Sequence, residues 1–271
     1  MHMKTIFFTL ALTLGTTAYA QEPQKPFEPV SGQAGKDVVW VPSPPAMVSK
    51  MLEMAQVTPK DFVMDLGSGD GRNIIAAAKL GARALGVEFN PDMVALSRRL
   101  AAEAGVADKA QFVEGDMYAA DISKATVLAL FLLPVNLNKL APKFLDMTPG
   151  SRIVGNTFGI DGWEPDDRVS LDQSSDCSSW CEVLLWIVPA KAAGTWKMAN
   201  GTMTLTQEFQ MIKGSITVDG TTYTIPNTAL KGSDITFIAG GFTYTGKVNG
   251  NQIEGTFMTP AGPKPWRAAR D

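Results

Sequence analysis

Phe62-Val63-Met64-Asp65-Leu66 runs directly into Gly67-Ser68-Gly69-Asp70-Gly71, and residues 73–80 continue as a helical stretch rich in Ile and Ala. A short apolar run that ends in glycines and opens a helix reads as the strand–turn–helix unit of an α/β domain. The glycines let the backbone turn tightly and let a ligand approach the helix N-terminus. Gly-x-Gly alone is a weak signal, but two acids accompany it. Glu88 follows the strand read over residues 84–87, seventeen residues beyond Gly71, where a carboxylate suits the two hydroxyls of a ribose. Asp116 closes a third strand, residues 111–113, where it could meet an adenine amino group.

The loop spacing is Gly67-x-Gly69-x-Gly71, not G-x-G-x-x-G, and Asp65 and Asp70 sit within it. Carboxylates beside a pyrophosphate would be repulsive, so a dinucleotide is disfavoured and a cationic or zwitterionic ligand is favoured. S-adenosylmethionine (SAM), with a sulfonium, an α-amino group and no phosphate, meets that condition. The alternation continues on both sides. Pro44-Pro45 opens a helix in which Met47, Val48, Met51, Leu52 and Ala55 share a face. Asn90-Pro91 starts another, and residues 126–133 and 152–154 read as a fourth and a fifth strand.

Asp65 to Arg72, DLGSGDGR, resembles motif I of the class I SAM-dependent methyltransferases. Within them the chain is similar to the mitochondrial lysine methyltransferases of the adenine nucleotide translocase and the ATP synthase c-subunit, and to their bacterial relatives. The shared stretches are DLGSGDGR, residues 86–91 (GVEFNP), 131–134 (FLLP), 149–154 (PGSRIV) and 163–165 (WEP), so the likeness covers about residues 40–170. The resemblance implies a Rossmann-like α/β domain and SAM as cofactor. It places cofactor contacts at Asp65, Gly67, Ser68, Gly69, Asp70, Gly71, Glu88, Phe89, Asn90, Asp116 and Met117, with Val41-Pro42-Ser43-Pro44 nearby. It also implies an amine acceptor, a protein lysine or a small molecule, with Phe131, Leu133, Pro134, Asp161, Trp163 and Glu164 on the substrate side. Asp161, Glu164, Asp166 and Asp167 beside Trp163 form an acidic, aromatic loop expected to attract a cation.

Composition narrows the chemistry. The chain has 271 residues, 24 basic and 27 acidic side chains, and a net charge of −3. It therefore lacks the basic excess that binding nucleic-acid phosphates requires. FLLP at 131–134 also differs from the Asp/Asn-Pro-Pro-aromatic motif common in enzymes that methylate nucleobase amines. The single histidine is His2. It falls in a segment with the three parts of a secretory signal: Lys4, the apolar run Ile6–Leu14, and Ala18-Tyr19-Ala20 before Gln21. Cleavage after Ala20 would leave a periplasmic chain without imidazole. A histidine base or triad is then excluded, a His/Cys zinc site nearly so, and no metal is expected. Methyl transfer by in-line displacement can proceed by positioning and water exclusion, and no catalytic residue is singled out. Cys177 and Cys181 are expected to pair in an exported chain. Because SAM is made in the cytoplasm, export leaves its supply to be explained.

The expected organisation is a signal peptide over 1–20, a disordered lead-in over 21–37, a SAM-binding domain over 38–190 and a small β domain over 193–271. The last part holds fourteen threonines. A period-two run through Met203, Leu205, Phe209 and Met211 reads as a strand there, and Asp219-Gly220 and Asn249-Gly250 read as hairpin turns. An antiparallel sandwich or partial barrel follows, and Gly194-Thr195-Trp196 and Ile253-Glu254-Gly255-Thr256 resemble motifs of small lipocalin-like bacterial β domains. No later segment is long and apolar enough to span a bilayer. A non-catalytic periplasmic binding protein on the same fold is the alternative to an enzyme.

Overall fold

The computed structural model describes residues 1, 27–171 and 177–270. Apart from Met1, the expected signal segment lies outside the described residues. The central unit forms as read: β1 (Phe62–Leu66), then α2 (Arg72–Lys79), with α1 (Pro45–Met54) before them. Around them lie β2 (Arg83–Glu88), α3 (Pro91–Glu103), β3 (Ala110–Glu114), β4 (Val127–Leu130), α4 (Pro134–Phe144) and β5 (Arg152–Asn156). These five strands are parallel, and two more, β6 (Asp167–Ser170) and β7 (Glu182–Ile187), extend the sheet antiparallel to their neighbours. The order is β3-β2-β1-β4-β5-β7-β6. The four residues of β1 from Val63 to Leu66 are buried, as expected of a central parallel strand covered on both faces. Strand order reverses between β1 and β4, which opens a crevice at the carboxyl ends of the strands.

Local chemistry explains the helix starts. Pro45 and Pro91 stand in the first turns of α1 and α3, and Asn90 caps α3 by accepting from the Asp92 N–H at 2.9 Å. Gly71 enters α2 at φ +80°, and a Cβ there would stand 2.5 Å from the buried Phe112 ring. At the opposite end of β1, Asp61 accepts from Thr58 N (2.8 Å), Thr58 Oγ1 (2.9 Å) and Thr126 Oγ1 (2.7 Å) and pairs with Arg152. These partners outweigh burial and hold its carboxyl below the usual range.

The fourth strand is shorter than the sequence suggests. It stops at Leu130, and Phe131 to Leu133 leave the sheet before Pro134 opens α4. The strands β6 and β7 were not read from the sequence; β7 pairs antiparallel with both β5 and β6.

The second unit is a meander of β8 (Gly194–Met198), β9 (Gly201–Glu208), β10 (Met211–Val218), β11 (Thr221–Ala229), β12 (Asp234–Ala239), β13 (Phe242–Asn249), β14 (Gln252–Thr259) and β15 (Gly262–Ala269). β8 pairs with β15, giving the order β11-β10-β9-β8-β15-β14-β13-β12. The two outer strands approach each other, with Thr228 Oγ1 donating to the Thr236 carbonyl at 3.2 Å. The result is a nearly closed barrel around Trp196, Met203, Ile216, Ile235, Phe237 and Trp266, rather than a sandwich. Asp219-Gly220 and Gly250 take positive φ at hairpin turns. The run read through Met211 breaks at Phe209-Gln210, which turn between β9 and β10. Phe209 stacks on Trp163 of the first unit (5.3 Å, 13°), and Gln210 Nε2 donates to the Glu164 carbonyl at 2.7 Å. These contacts dock the barrel on the loop that follows β5.

Candidate active site

The crevice lies where β1 and β2 end. Glu88 is its hub: one carboxylate oxygen accepts from the Gly69 N–H and the other from the Asn90 N–H, both at 2.9 Å. Those bonds fix the glycine loop to the end of β2. Asp65 is buried at 4% exposure and accepts from Asn73 Nδ2 at 3.0 Å. Burial, aided by the Glu88 and Asp70 carboxylates and opposed by the Asn73 bond, raises the Asp65 carboxyl well above its usual range. Asp70 is held by Arg72, whose Nη1 also donates to the Ser43 carbonyl at 2.5 Å.

Residues 27–43, which include the described part of the expected lead-in, contain no helix or strand but run across this crevice. Val38 and Trp40 of this strap, together with Gly67, border two adjoining cavities. The smaller cavity is walled by Glu88, Phe89, Asn90, Met93, Asp116 and Met117. Within it Lys36 donates to Asp116 at 2.7 Å and lies 4.8 Å from the Phe89 ring centroid. That contact, with the Tyr118 N–H, lowers the Asp116 carboxyl, and the same bond raises the Lys36 ammonium. The larger cavity runs from Asp65, Ser68 and Asn73 to an aromatic end formed by Trp40, Phe131, Phe158 and Trp180. Gly69 takes φ +56°, and a Cβ on it would lie 2.5 Å from Trp40 Nε1.

The structure therefore brings residues 67–70 of the glycine loop, Glu88, Phe89, Asn90, Asp116 and Met117 to one crevice, whereas Gly71 lines neither cavity and packs against Phe112 at the start of α2. Phe131, Leu133 and the segment Val41-Pro42-Ser43 join them there. Pro134 instead starts α4. The acidic loop is not at the crevice. Trp163 is 1% exposed against Phe209, Asp161 is bonded to Asn138, Glu164 lies near Arg168, and Asp166 accepts from the Ile187 N–H. Asp167 begins β6. Lys36, Trp40, Asn73, Phe158 and Trp180 are crevice residues that the sequence reading does not single out. Asn73 was within reach, since it stands in the first turn of the helix the glycines open. The others depend on strap and loop packing.

The lining can be tested against SAM. Ser68 Oγ and Asn73 Oδ1 are buried without a hydrogen-bond partner among the described residues, and both residues line the same cavity as Asp65. A lining that offers accepting oxygens around a buried acid suits an ammonium group and would repel a phosphate. Glu88 and the exposed Phe89 in the adjoining cavity suit a ribose and a flat base. The residues fit the cofactor.

Fold and crevice together define a class I SAM-dependent methyltransferase. Residues 65–167 match the family described as the ANTKMT methyltransferase domain. The chain is 40% identical over 142 residues to a protein-lysine N-methyltransferase of Saccharolobus islandicus, covering 51% of this chain and 88% of that protein. The chain belongs to this methyltransferase family. It is also 34% identical over 128 residues to the lysine N-methyltransferase of the ATP synthase c-subunit from Mus musculus. That match covers 47% of this chain and spans about half, 51%, of the mouse protein. Among solved structures it is similar to an RNA methyltransferase from Salinibacter ruber in complex with S-adenosyl-L-homocysteine. There the TM-score is 0.52 and the identity 43%, covering 56% of this chain and 95% of that one. Cys177 and Cys181 form a disulfide.

Proposed function

We propose that the protein transfers methyl groups to the ε-amine of a protein lysine. The observation that carries the proposal is the larger cavity, which joins the motif I acids to an end walled by Trp40, Phe131, Phe158 and Trp180. Aromatic faces attract an alkylammonium as it enters. Once inside, an apolar surround disfavours the charged amine and lowers its pKa, so the proton leaves to solvent before attack. None of this needs a histidine. The relatives named for lysine methylation support the same acceptor.

The residues divide the work by position. Bound SAM supplies an electrophilic methyl group on a sulfonium. Asp65, Asn73 and Ser68 bind the amino-acid end, and Glu88 binds the ribose. The strap at Val38 and Trp40 excludes water from the crevice. Alignment of the two reactants is the main contribution this geometry can make, and intramolecular alignment of that kind is worth up to roughly 7–11 kcal/mol.

The test is transfer from methyl-tritiated SAM to a cell extract. Label should enter the protein fraction and be recovered as ε-N-methyllysine after acid hydrolysis. Label recovered in ribonuclease-sensitive material would overturn the lysine assignment, as would no transfer at all.

The proposal includes export, with cleavage after Ala20. Lys4, Ile6–Leu14 and Ala18-Tyr19-Ala20 support it, and so does a disulfide, a bond that persists in oxidising compartments. Cell fractionation with N-terminal sequencing checks it. A periplasmic chain beginning at Gln21 is expected, and a wholly cytosolic chain with residues 1–20 intact would contradict it.

A further inference from the structure

Trp180 is an exposed aromatic residue in a conformation that favours glycine. Its φ is +58°, in the left-handed region where a bulky side chain is strained, and 47% of its surface is open to solvent. The hydrophobic clusters do not include it, and among the described residues its ring contact is an edge-on approach to Phe131, with centroids 6.1 Å apart at 60°. A large apolar side chain kept in solvent at a conformational cost contributes little to folding. Its ring instead lines the aromatic end of the larger cavity.

The chain holds it there by two devices. Cys177 is buried at 2% exposure within the core cluster that contains Val183 and Leu185. Cys181 is joined to it by the disulfide, with Cα atoms 5.8 Å apart, and the Cys181 carbonyl accepts from Leu171 N at 2.8 Å. The five-residue ring from 177 to 181 is thus pinned to the sheet edge, with Trp180 next to the pin. A disulfide closing so small a ring adds little stability by chain entropy, since that gain grows with loop length. Its local effect is to restrict the backbone of 178–180.

We infer that Trp180 is a specificity-determining residue that closes the acceptor slot opposite Phe131 and Phe158, and that the Cys177–Cys181 disulfide is the positioning element that sets it. The inference rests on the reading of this cavity as the place where an alkylamine meets the cofactor. Trp180 presents a π face to the entering ammonium and restricts the slot to an unbranched alkyl chain. A bulkier or neutral group loses the cation–π contribution and meets the ring.

The experiment uses the full mature chain saturated with S-adenosylhomocysteine and titrated calorimetrically with n-butylammonium, with n-butanol as the neutral comparison. Butylammonium should bind more tightly than butanol. Trp180→Ala should weaken butylammonium binding by about five- to tenfold and leave butanol nearly unchanged, the scale of one cation–π contact. Trp180→Phe should retain most of the affinity. Cys177→Ser/Cys181→Ser should weaken butylammonium binding at least threefold. In every variant the S-adenosylhomocysteine Kd should stay within twofold of the parent value. Because Trp180 is exposed, its variants fold whether or not the cysteine variant does. Unchanged butylammonium affinity in Trp180→Ala overturns the inference, as does equal loss for butylammonium and butanol. Failure of the loaded parent protein to bind butylammonium also overturns it. Failure to bind S-adenosylhomocysteine is a different result, and it overturns the methyltransferase reading of the crevice itself.

Discussion

Replacing Gly69 by alanine should damage the crevice twice, and the two effects can be separated. The residue takes φ +56°, where a side chain costs roughly 1–2 kcal/mol. Its new Cβ would stand 2.5 Å from Trp40 Nε1 and 2.7 Å from Trp40 Cδ1, well inside ordinary contact. Trp40 lies on the strap and can shift, so this overpacking belongs at the low end of its range, about 1 kcal/mol. The expected loss is about 2–3 kcal/mol in the unfolding of the first unit, read by urea denaturation. S-adenosylhomocysteine affinity should fall by at least tenfold, because the displaced strap no longer closes the crevice. The second effect should be relieved in Trp40→Ala/Gly69→Ala, giving a coupling energy of about 1 kcal/mol in the double-mutant cycle. The reasoning is refuted if Gly69→Ala costs less than about 0.5 kcal/mol, or if the two substitutions add within ~0.5 kcal/mol.

Asp65 makes cofactor affinity pH-dependent. Its carboxyl is raised in the free protein, and a bound cation favours the ionised form, so binding expels a proton between the ordinary carboxylate pKa and the raised one. SAM affinity should rise with pH through that window, at most about tenfold per unit, and Asp65→Asn should flatten the slope in a calorimetric pH series. The Asp61 carboxyl is shifted the other way and bears on stability. Its carboxyl is lowered by folding, so its contribution is present above the unfolded pKa and is lost as pH falls through the folded one. Asp61→Asn should cost roughly 2–3 kcal/mol at neutral pH by urea denaturation, with the difference from the parent shrinking in acid. Phe209→Ala removes the ring stacked on Trp163, so calorimetric unfolding should split into two transitions while S-adenosylhomocysteine Kd changes less than twofold.

Much of the first unit was legible because its signals are local. Asp65 to Gly71 encodes a strand end, a turn and a helix start in seven consecutive residues, and Asn90-Pro91 and Pro44-Pro45 mark their own helices. The cofactor side was legible for the same reason, since Glu88 and Asp116 sit at strand ends fixed by that alternation. On the acceptor side Phe131 and Leu133 were legible from their place after the fourth strand, but the rest was not, because it is assembled by tertiary contacts. Trp163 and its acids follow β5 as expected, yet the barrel captures Trp163 through Phe209. Phe158, two residues past the end of β5, and Trp180, held by the disulfide, reach the cavity instead.

The barrel shows the same division. Asp219-Gly220 and Asn249-Gly250 announce their turns through residues that accept positive φ. Phe209-Gln210 carries no such signature, and tertiary contacts to Trp163 and Glu164 hold the turn there. β15 contains Pro263 and Pro265, which argue against a strand. β8 pairs with only Ala268 and Ala269 of it, so one edge of residues 262–267 has no ladder for the missing N–H groups to interrupt.

The most direct test is a calorimetric titration of the protein with S-adenosylhomocysteine, in parallel with Glu88→Ala. One site per chain is expected in the parent protein. Glu88→Ala should weaken it at least tenfold, because the same substitution removes the ribose partner and the tie between Gly69 and Asn90. A parent protein that takes up no S-adenosylhomocysteine, or one whose affinity is indifferent to Glu88, would contradict the assignment of this crevice.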